Sequence, residues 1–159
     1  RKCSVNTVES YLNALIESYI IYKISRYDIK GKEYLKTGDK YYVCDLGLRN
    51  YLLGSVKDLG SILENIIFLE LKRRNYDIYI GKYEDSEVDF VVKKNDGLKY
   101  IQVSLSVRDE KTLERELTPL KEIHDNYPKY IITLDYDSAD YEGIRQINAI
   151  DLLMGRVDL

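Results

Sequence analysis

Four polar residues near the middle of the chain could do chemistry together: Glu64, Asp89, Gln102 and Ser104. Asp89 interrupts the apolar run Val88-Asp89-Phe90-Val91-Val92, and Gln102 and Ser104 stand two apart in Tyr100-Ile101-Gln102-Val103-Ser104. Strand side chains alternate, so Gln102 and Ser104 share a face, and the turn signal Asn95-Asp96-Gly97 folds the two strands against each other. An aspartate on one strand beside a carboxylate-x-lysine pair on the next can hold Mg²⁺ through hard oxygen ligands. With a lysine next to the metal, such a site activates water and offsets charge in the transition state of phosphodiester cleavage. In this sequence the second carboxylate is the amide Gln102 and the lysine is Ser104. Loss of one preorganised electrostatic group costs about 10²–10³ in rate, and two are missing.

Glu64, Asp89 and Gln102 are the metal ligands this pattern still offers, and Lys99, Lys111 and Lys121 are candidates for a displaced lysine. The competing reading is a polar network in which Glu64, Asp89, Gln102 and Ser104 satisfy one another, with one carboxyl protonated. That reading is favoured: a degenerate site. Glu70 falls on the helical side of Leu63 and Ile66, where pairing with a neighbouring basic residue explains it. His124, the only histidine, sits at an expected helix C-terminus and suits the dipole there.

These residues need elements to position them. Asn6 is read as a helix N-cap with Glu9 answering it, followed by Val8, Tyr11, Leu12, Leu15, Ile16 and Tyr19 at helical spacing. A strand over 20–27, a polar tip over 28–40 and a returning strand over 41–44 make a hairpin. A short helix over 45–53 then leads to Gly54. The stretch 55–74 is apolar around most of its circumference, as a helix buried against a sheet must be. Strands over 77–80, 87–92 and 99–105, an amphipathic helix over 109–124 containing Pro119, a strand over 130–134, and a closing strand and helical turn over 144–154 follow.

Helix, three-strand meander, helix and strand is the core order of the PD-(D/E)xK nuclease superfamily. Gly60-Ser61-Ile62-Leu63-Glu64-Asn65-Ile66-Ile67-Phe68-Leu69-Glu70-Leu71-Lys72-Arg73-Arg74 followed by Glu87-Val88-Asp89-Phe90 resembles one family within it. That family is the C-terminal domain of unknown function that follows an AAA-type ATPase module in many prokaryotic proteins. Tyr41-Tyr42-Val43-Cys44-Asp45-Leu46-Gly47-Leu48-Arg49-Asn50 is similar to its linker between winged helix and nuclease-like fold. The resemblance implies an α/β (α+β) chain: a partial winged helix over 1–53 and a restriction-endonuclease-like mixed sheet flanked by helices over 54–159. It implies an accessory region of an ATPase, acting in protein or nucleic-acid interaction. It also implies that ATP belongs to an upstream module, since no Gly-rich phosphate loop ending in Lys-Ser/Thr occurs. The alternative functions are an active Mg²⁺-dependent DNA nuclease and a non-specific DNA-binding module using the basic hairpin.

Composition bounds the partners. The 159 residues are 45% hydrophobic and 32% charged with net charge −3, ordinary for a chain with a packed core. Residues 1–53 hold nine Lys/Arg against six Asp/Glu, whereas 54–159 hold fifteen against twenty-one, which argues against one broad nucleic-acid surface. The expected recognition-helix face presents Glu9 and Glu17 and no basic residue, which repels phosphate. The hairpin is different: Lys30, Lys32, Lys36 and Lys40 form a basic strip suited to weak, sequence-independent DNA contact. The tyrosines at 19, 22, 27, 34, 41 and 42 surround it, for base stacking or for packing. Docking on the upstream ATPase module, or on a protein partner or second copy, is the favoured use of the leading segment. Two cysteines, Cys3 and Cys44, read as free thiols of a reducing cytoplasm, and no membrane span occurs. The start at Arg1, directly before a helix, reads as that of a fragment.

Overall fold

A computed structural model describes residues 4–54, 58–95 and 97–159. The chain opens with a helix, α1 (Val5–Glu17), and a hairpin, β1 (Ile21–Asp28) and β2 (Glu33–Val43). Helices α2 (Leu46–Leu53) and α3 (Leu59–Arg73) lead to the meander β3 (Asp77–Tyr83), β4 (Ser86–Lys94) and β5 (Gly97–Val103). Then come α4 (Glu110–Lys121), β6 (Lys129–Thr133), β7 (Asp140–Tyr141), β8 (Ile144–Asn148) and α5 (Ala149–Leu153). All strands join one mixed sheet of eight in the order β2-β1-β3-β4-β5-β6-β8-β7, with helices on its faces. This is the mixed α/β class the sequence implies.

Alternation along the strands divides the core between the two faces. Phe90, Val92, Ile101, Tyr130 and Ile132 pack with Leu63, Ile67, Phe68 and Leu71 of α3 and Leu152 of α5. Val91, Tyr100 and Ile131 pack with Leu117 and Leu120 of α4. The middle strands are buried on both sides, which is why β4 and β6 read as continuous apolar runs.

Several local expectations shift. Ser4, not Asn6, caps α1, its hydroxyl accepting from Thr7 N–H; Asn6 lies inside the first turn. The polar stretch 28–40 is not a long tip. β2 begins at Glu33, so the turn is short and Lys36 and Lys40 ride on a strand. The sequence division at 53/54 is crossed by the sheet, because β1 pairs in parallel with β3 through Arg26–Ile80, Tyr27–Gly81 and Asp28–Lys82. The start of α3 is set by Asp58, which accepts from Ser61 N–H at 3.1 Å. The expected beginning at 55, Cys3, and Asp96 in the expected turn all lie outside the described residues. Pro119 stands inside α4, which runs on to Lys121. At Gly81 the β3–β4 pairing slips, and a Cβ there would come within 2.8 Å of Val88 and Val91 side-chain atoms. Glycine is required for β3 to lie this close to the strand that carries Asp89.

Candidate functional site

The ladder between β4 and β5 runs from Lys94–Gly97 to Phe90–Ile101 and then stops. Beyond it the strands part, and β5 continues with β6 as far as Val103–Ile132. Backbone groups exposed by the parting must find partners, and side chains supply them. Asp89 Oδ2 accepts from Val103 N–H at 2.8 Å, and Gln102 Oε1 accepts from Asp89 N–H at 3.2 Å. Gln102 Nε2 donates to Glu116 Oε2 of α4 at 3.0 Å. Arg115 donates to the other oxygen of Glu116 at 2.6 Å.

A second group of contacts lies on the α3 side. Glu64 Oε1 accepts from Tyr42 OH at 2.6 Å and meets Lys40 Nζ at 2.7 Å. Lys40 also reaches Glu87 Oε1 at 3.3 Å, while Arg26 holds Glu87 Oε2 at 2.6 Å. Tyr42 is fixed by stacking on Phe68, with ring centroids 4.3 Å apart and planes within 11°. Asn65 ties the same strand to α3: its amide accepts from Val43 N–H at 2.9 Å and donates to Val43 carbonyl at 3.0 Å.

Electrostatics follow from this crowding. Burial, reinforced by the charges of Glu64 and Glu116, pushes the Asp89 carboxyl up to about 7 despite the opposing Val103 N–H and Lys40. Burial works against the Lys40 ammonium, but Glu64, with Asp89 and Glu87, carries it above its ordinary value. Burial likewise opposes charge on Glu87, yet Arg26 and Lys40 hold its carboxyl below the usual range. Burial beside Glu64 drives the Tyr42 hydroxyl far upward, so it serves as a hydrogen-bond donor.

The structure therefore brings Glu64, Asp89 and Gln102 to one region, and leaves Ser104 out of their network. The Ser104 hydroxyl bonds to the Ser106 carbonyl at 3.3 Å, and its N–H bonds to Ile132 of the neighbouring strand. The lysine that arrives is Lys40. Lys121 pairs with Glu142 at 3.1 Å, Lys99 lies over the Tyr76 ring on the opposite face from Gln102, and Lys111 is exposed on the first turn of α4. Of the four residues in the basic strip, Lys30 pairs with Glu84 at 2.6 Å and Lys40 turns into the cluster, leaving Lys32 and Lys36 exposed. Glu70 is buried and accepts from both Arg73 and Arg74, the basic pairing its position suggests. His124 lies beyond the end of α4. Cys44 is a free thiol.

Mg²⁺, which the resemblance implies, does not fit these donors. The Gln102 amide oxygen faces the Asp89 N–H, one Asp89 oxygen is taken by Val103, and Glu64 Oε1 is shared by a phenol and an ammonium. Among the described residues, no three His, Cys, Asp or Glu side chains converge to hold a metal ion.

Lys40, Tyr42, Glu87, Arg115 and Glu116 are members that sequence reasoning did not assign to the site. Two carried a signal. Lys40 stands two before Tyr42, on the same strand face once β2 is extended backward. Glu116 stands three after Leu113 and four before Leu120, a carboxylate on the apolar side of an amphipathic helix.

Comparison with known proteins adds the following. Residues 1–58 match the profile of a domain of unknown function (DUF8612), which ends at the cap of α3. An uncharacterized protein of Haemophilus influenzae is 38% identical over 153 residues, covering 95% of this chain and 38% of that protein. An uncharacterized protein of Methanocaldococcus jannaschii is 32% identical over 153 residues, covering 90% of this chain and 33% of that protein. No solved structure matches. The chain spans about a third of the length of the curated relatives it matches, and it is similar over nearly its whole length to that part of them.

Proposed function

We propose that this chain is a C-terminal accessory region of an AAA-type ATPase whose nuclease-like site is degenerate and serves structure rather than turnover. The observation that carries this reading is the closure of the site: Glu64, Asp89, Gln102 and Glu116 each have protein partners. The Gln102 amide brings no charge, and Glu64 Oε1 is already shared by Tyr42 and Lys40, so the donors left for a hard dication are few. The order α3, β3 to β5, α4, β6 supports the nuclease-like part of the reading. The interaction part is supported by α1 and α2. No residue of α1 is buried, and Val5, Tyr11, Tyr51 and Leu52 are 66–86% exposed. Large apolar side chains left exposed on two neighbouring helices mark a candidate protein contact, and the upstream ATPase module is its proposed occupant. The acidic α1 and the partly neutralised hairpin weigh against DNA as the primary partner.

Incubation of the purified chain with plasmid and single-stranded DNA plus Mg²⁺ or Mn²⁺ tests the site. Wild type and Asp89→Ala are expected to leave both substrates intact. A second reading, an Mg²⁺-dependent nuclease with Lys40 as its displaced lysine, is favoured by the 2.7 Å approach of that lysine to Glu64. Cleavage by the wild type that disappears in both Asp89→Ala and Lys40→Ala would establish it and overturn the first.

A further inference from the structure

A nuclease-like centre needs a cation among its carboxylates, and this one already has a cation supplied by the hairpin. We infer that the Lys40 ammonium is the resident cation of the cluster: it stands in for a divalent metal, neutralises Glu64 and Glu87, and keeps metal out. The inference rests on the reading of the site as a degenerate nuclease-like centre, and explains how that centre persists without metal.

The geometry is specific. Lys40 Nζ lies 2.7 Å from Glu64 and 3.3 Å from Glu87, whose carboxylates come from α3 and β4, while Lys40 itself comes from β2. Its charge acts favourably on Asp89 as well. The ammonium is 5.9 Å from the centroid of the Tyr42 ring, which is pinned by Phe68 below and by Glu64 at its hydroxyl. Such a ring favours a cation over its face. Arg26 neutralises the other oxygen of Glu87 but does not contact Glu64. Lys40 is thus the cation that answers Glu64, a carboxylate with only 16% of its side chain exposed. A dication placed beside Glu64 would meet the ammonium at close range and low local dielectric, where like charges repel strongly.

Removing the ammonium while keeping the stem should leave the Glu64 and Glu87 carboxylates without their shared countercharge, which a divalent ion can answer. The test uses thermal and chemical unfolding of the 159-residue chain with and without millimolar Mg²⁺, Mn²⁺ or Ca²⁺. Wild type and Lys40→Arg are expected to be indifferent to the ions. Lys40→Met is expected to unfold more readily, and to regain about tenfold or more in its folding equilibrium constant when an ion is added. Lys40→Met/Glu64→Gln is expected to recover stability without any ion and to lose the ion effect. If Lys40→Met alone does not fold, the double variant decides: folded and ion-indifferent supports the inference, unfolded overturns it. Lys40→Met as stable as wild type, or unaffected by all three ions, also overturns it. DNA cleavage by the wild type would sink the non-catalytic reading itself. Absent cleavage together with an ion-indifferent Lys40→Met would sink this inference alone.

Discussion

The polar cluster where β4 and β5 part and the exposed apolar residues of α1 and α2 belong to one chain, yet they meet their surroundings in opposite ways. In the cluster, chemically capable groups are turned inward and answered one by one, Asp89 by Val103, Gln102 by Glu116, Glu64 by Tyr42 and Lys40. On the helices, residues with no chemistry to offer are turned outward and left uncovered, Tyr11 at 68% and Tyr51 at 86% exposure. A 13-residue helix with no buried side chain gains little from the rest of the chain, and isolated helices of this length are marginal in water. The difference teaches where to look for a partner. The region that looks reactive is saturated, and the region that looks inert has unmet demand.

The comparison can be broken from either side. The largest effect is expected at Asn65→Ala, which strands the Val43 N–H and carbonyl; each orphaned group costs about 1–3 kcal/mol, so denaturant titration should show a loss of about 3 kcal/mol. A loss below about 1 kcal/mol would mean that the seam between hairpin and α3 is less tightly closed than its hydrogen bonds suggest.

A smaller effect of opposite sign is expected at Asp89→Asn. The unfolded aspartate releases its proton near ~3.9, whereas the native carboxyl keeps it up to about 7. The native state therefore binds more protons in that window, and the Asp89 contribution to stability falls as pH rises from about 4 through about 7. Asparagine can still accept from Val103 and never ionises. Melting curves should show the variant more stable than wild type at pH ~8 by on the order of 2 kcal/mol, with the gap closing toward pH ~4. A gap that is constant with pH would show that Asp89 is an ordinary surface carboxylate.

The smallest effect on stability is expected on the open face. Tyr11→Ser with Tyr51→Ser should change unfolding by no more than about 0.5 kcal/mol. The same pair should abolish co-elution with the proposed upstream ATPase module supplied as a separate polypeptide. A drop of more than about 1 kcal/mol in the isolated chain would mean that this face is already covered by the protein itself.

Much of the architecture was legible because local patterns and long-range packing agree. The apolar run over 130–134 predicts a strand covered on both faces, and Glu70 near basic residues predicts an ion pair. The cluster was only half legible. Asp89 and Gln102 follow from alternation and the 95–97 turn, both local. Lys40 does not, since its place depends on β1 pairing in parallel with β3, a contact that periodicity does not encode. Its charge and its polar neighbours Thr37, Gly38 and Asp39 argue for a solvated tip instead. Ser104 misled for a related reason: alternation puts it on the face of Gln102, but its hydroxyl is taken locally by the Ser106 carbonyl.

Asn65 has a consequence of another kind. β2 is an outermost strand of the sheet, and at its end Cys44 N–H bonds inward to Ile20 carbonyl while Val43 presents both backbone groups outward. An open pair of this sort invites a strand from another molecule. The Asn65 amide offers one donor and one acceptor at the spacing of a peptide group, so α3 supplies a one-residue imitation of a ninth strand. At the far edge the same protection comes from brevity, since β7 is two residues long. Val43 is thereby closed to a strand from another molecule, and the far edge offers only a two-residue stub.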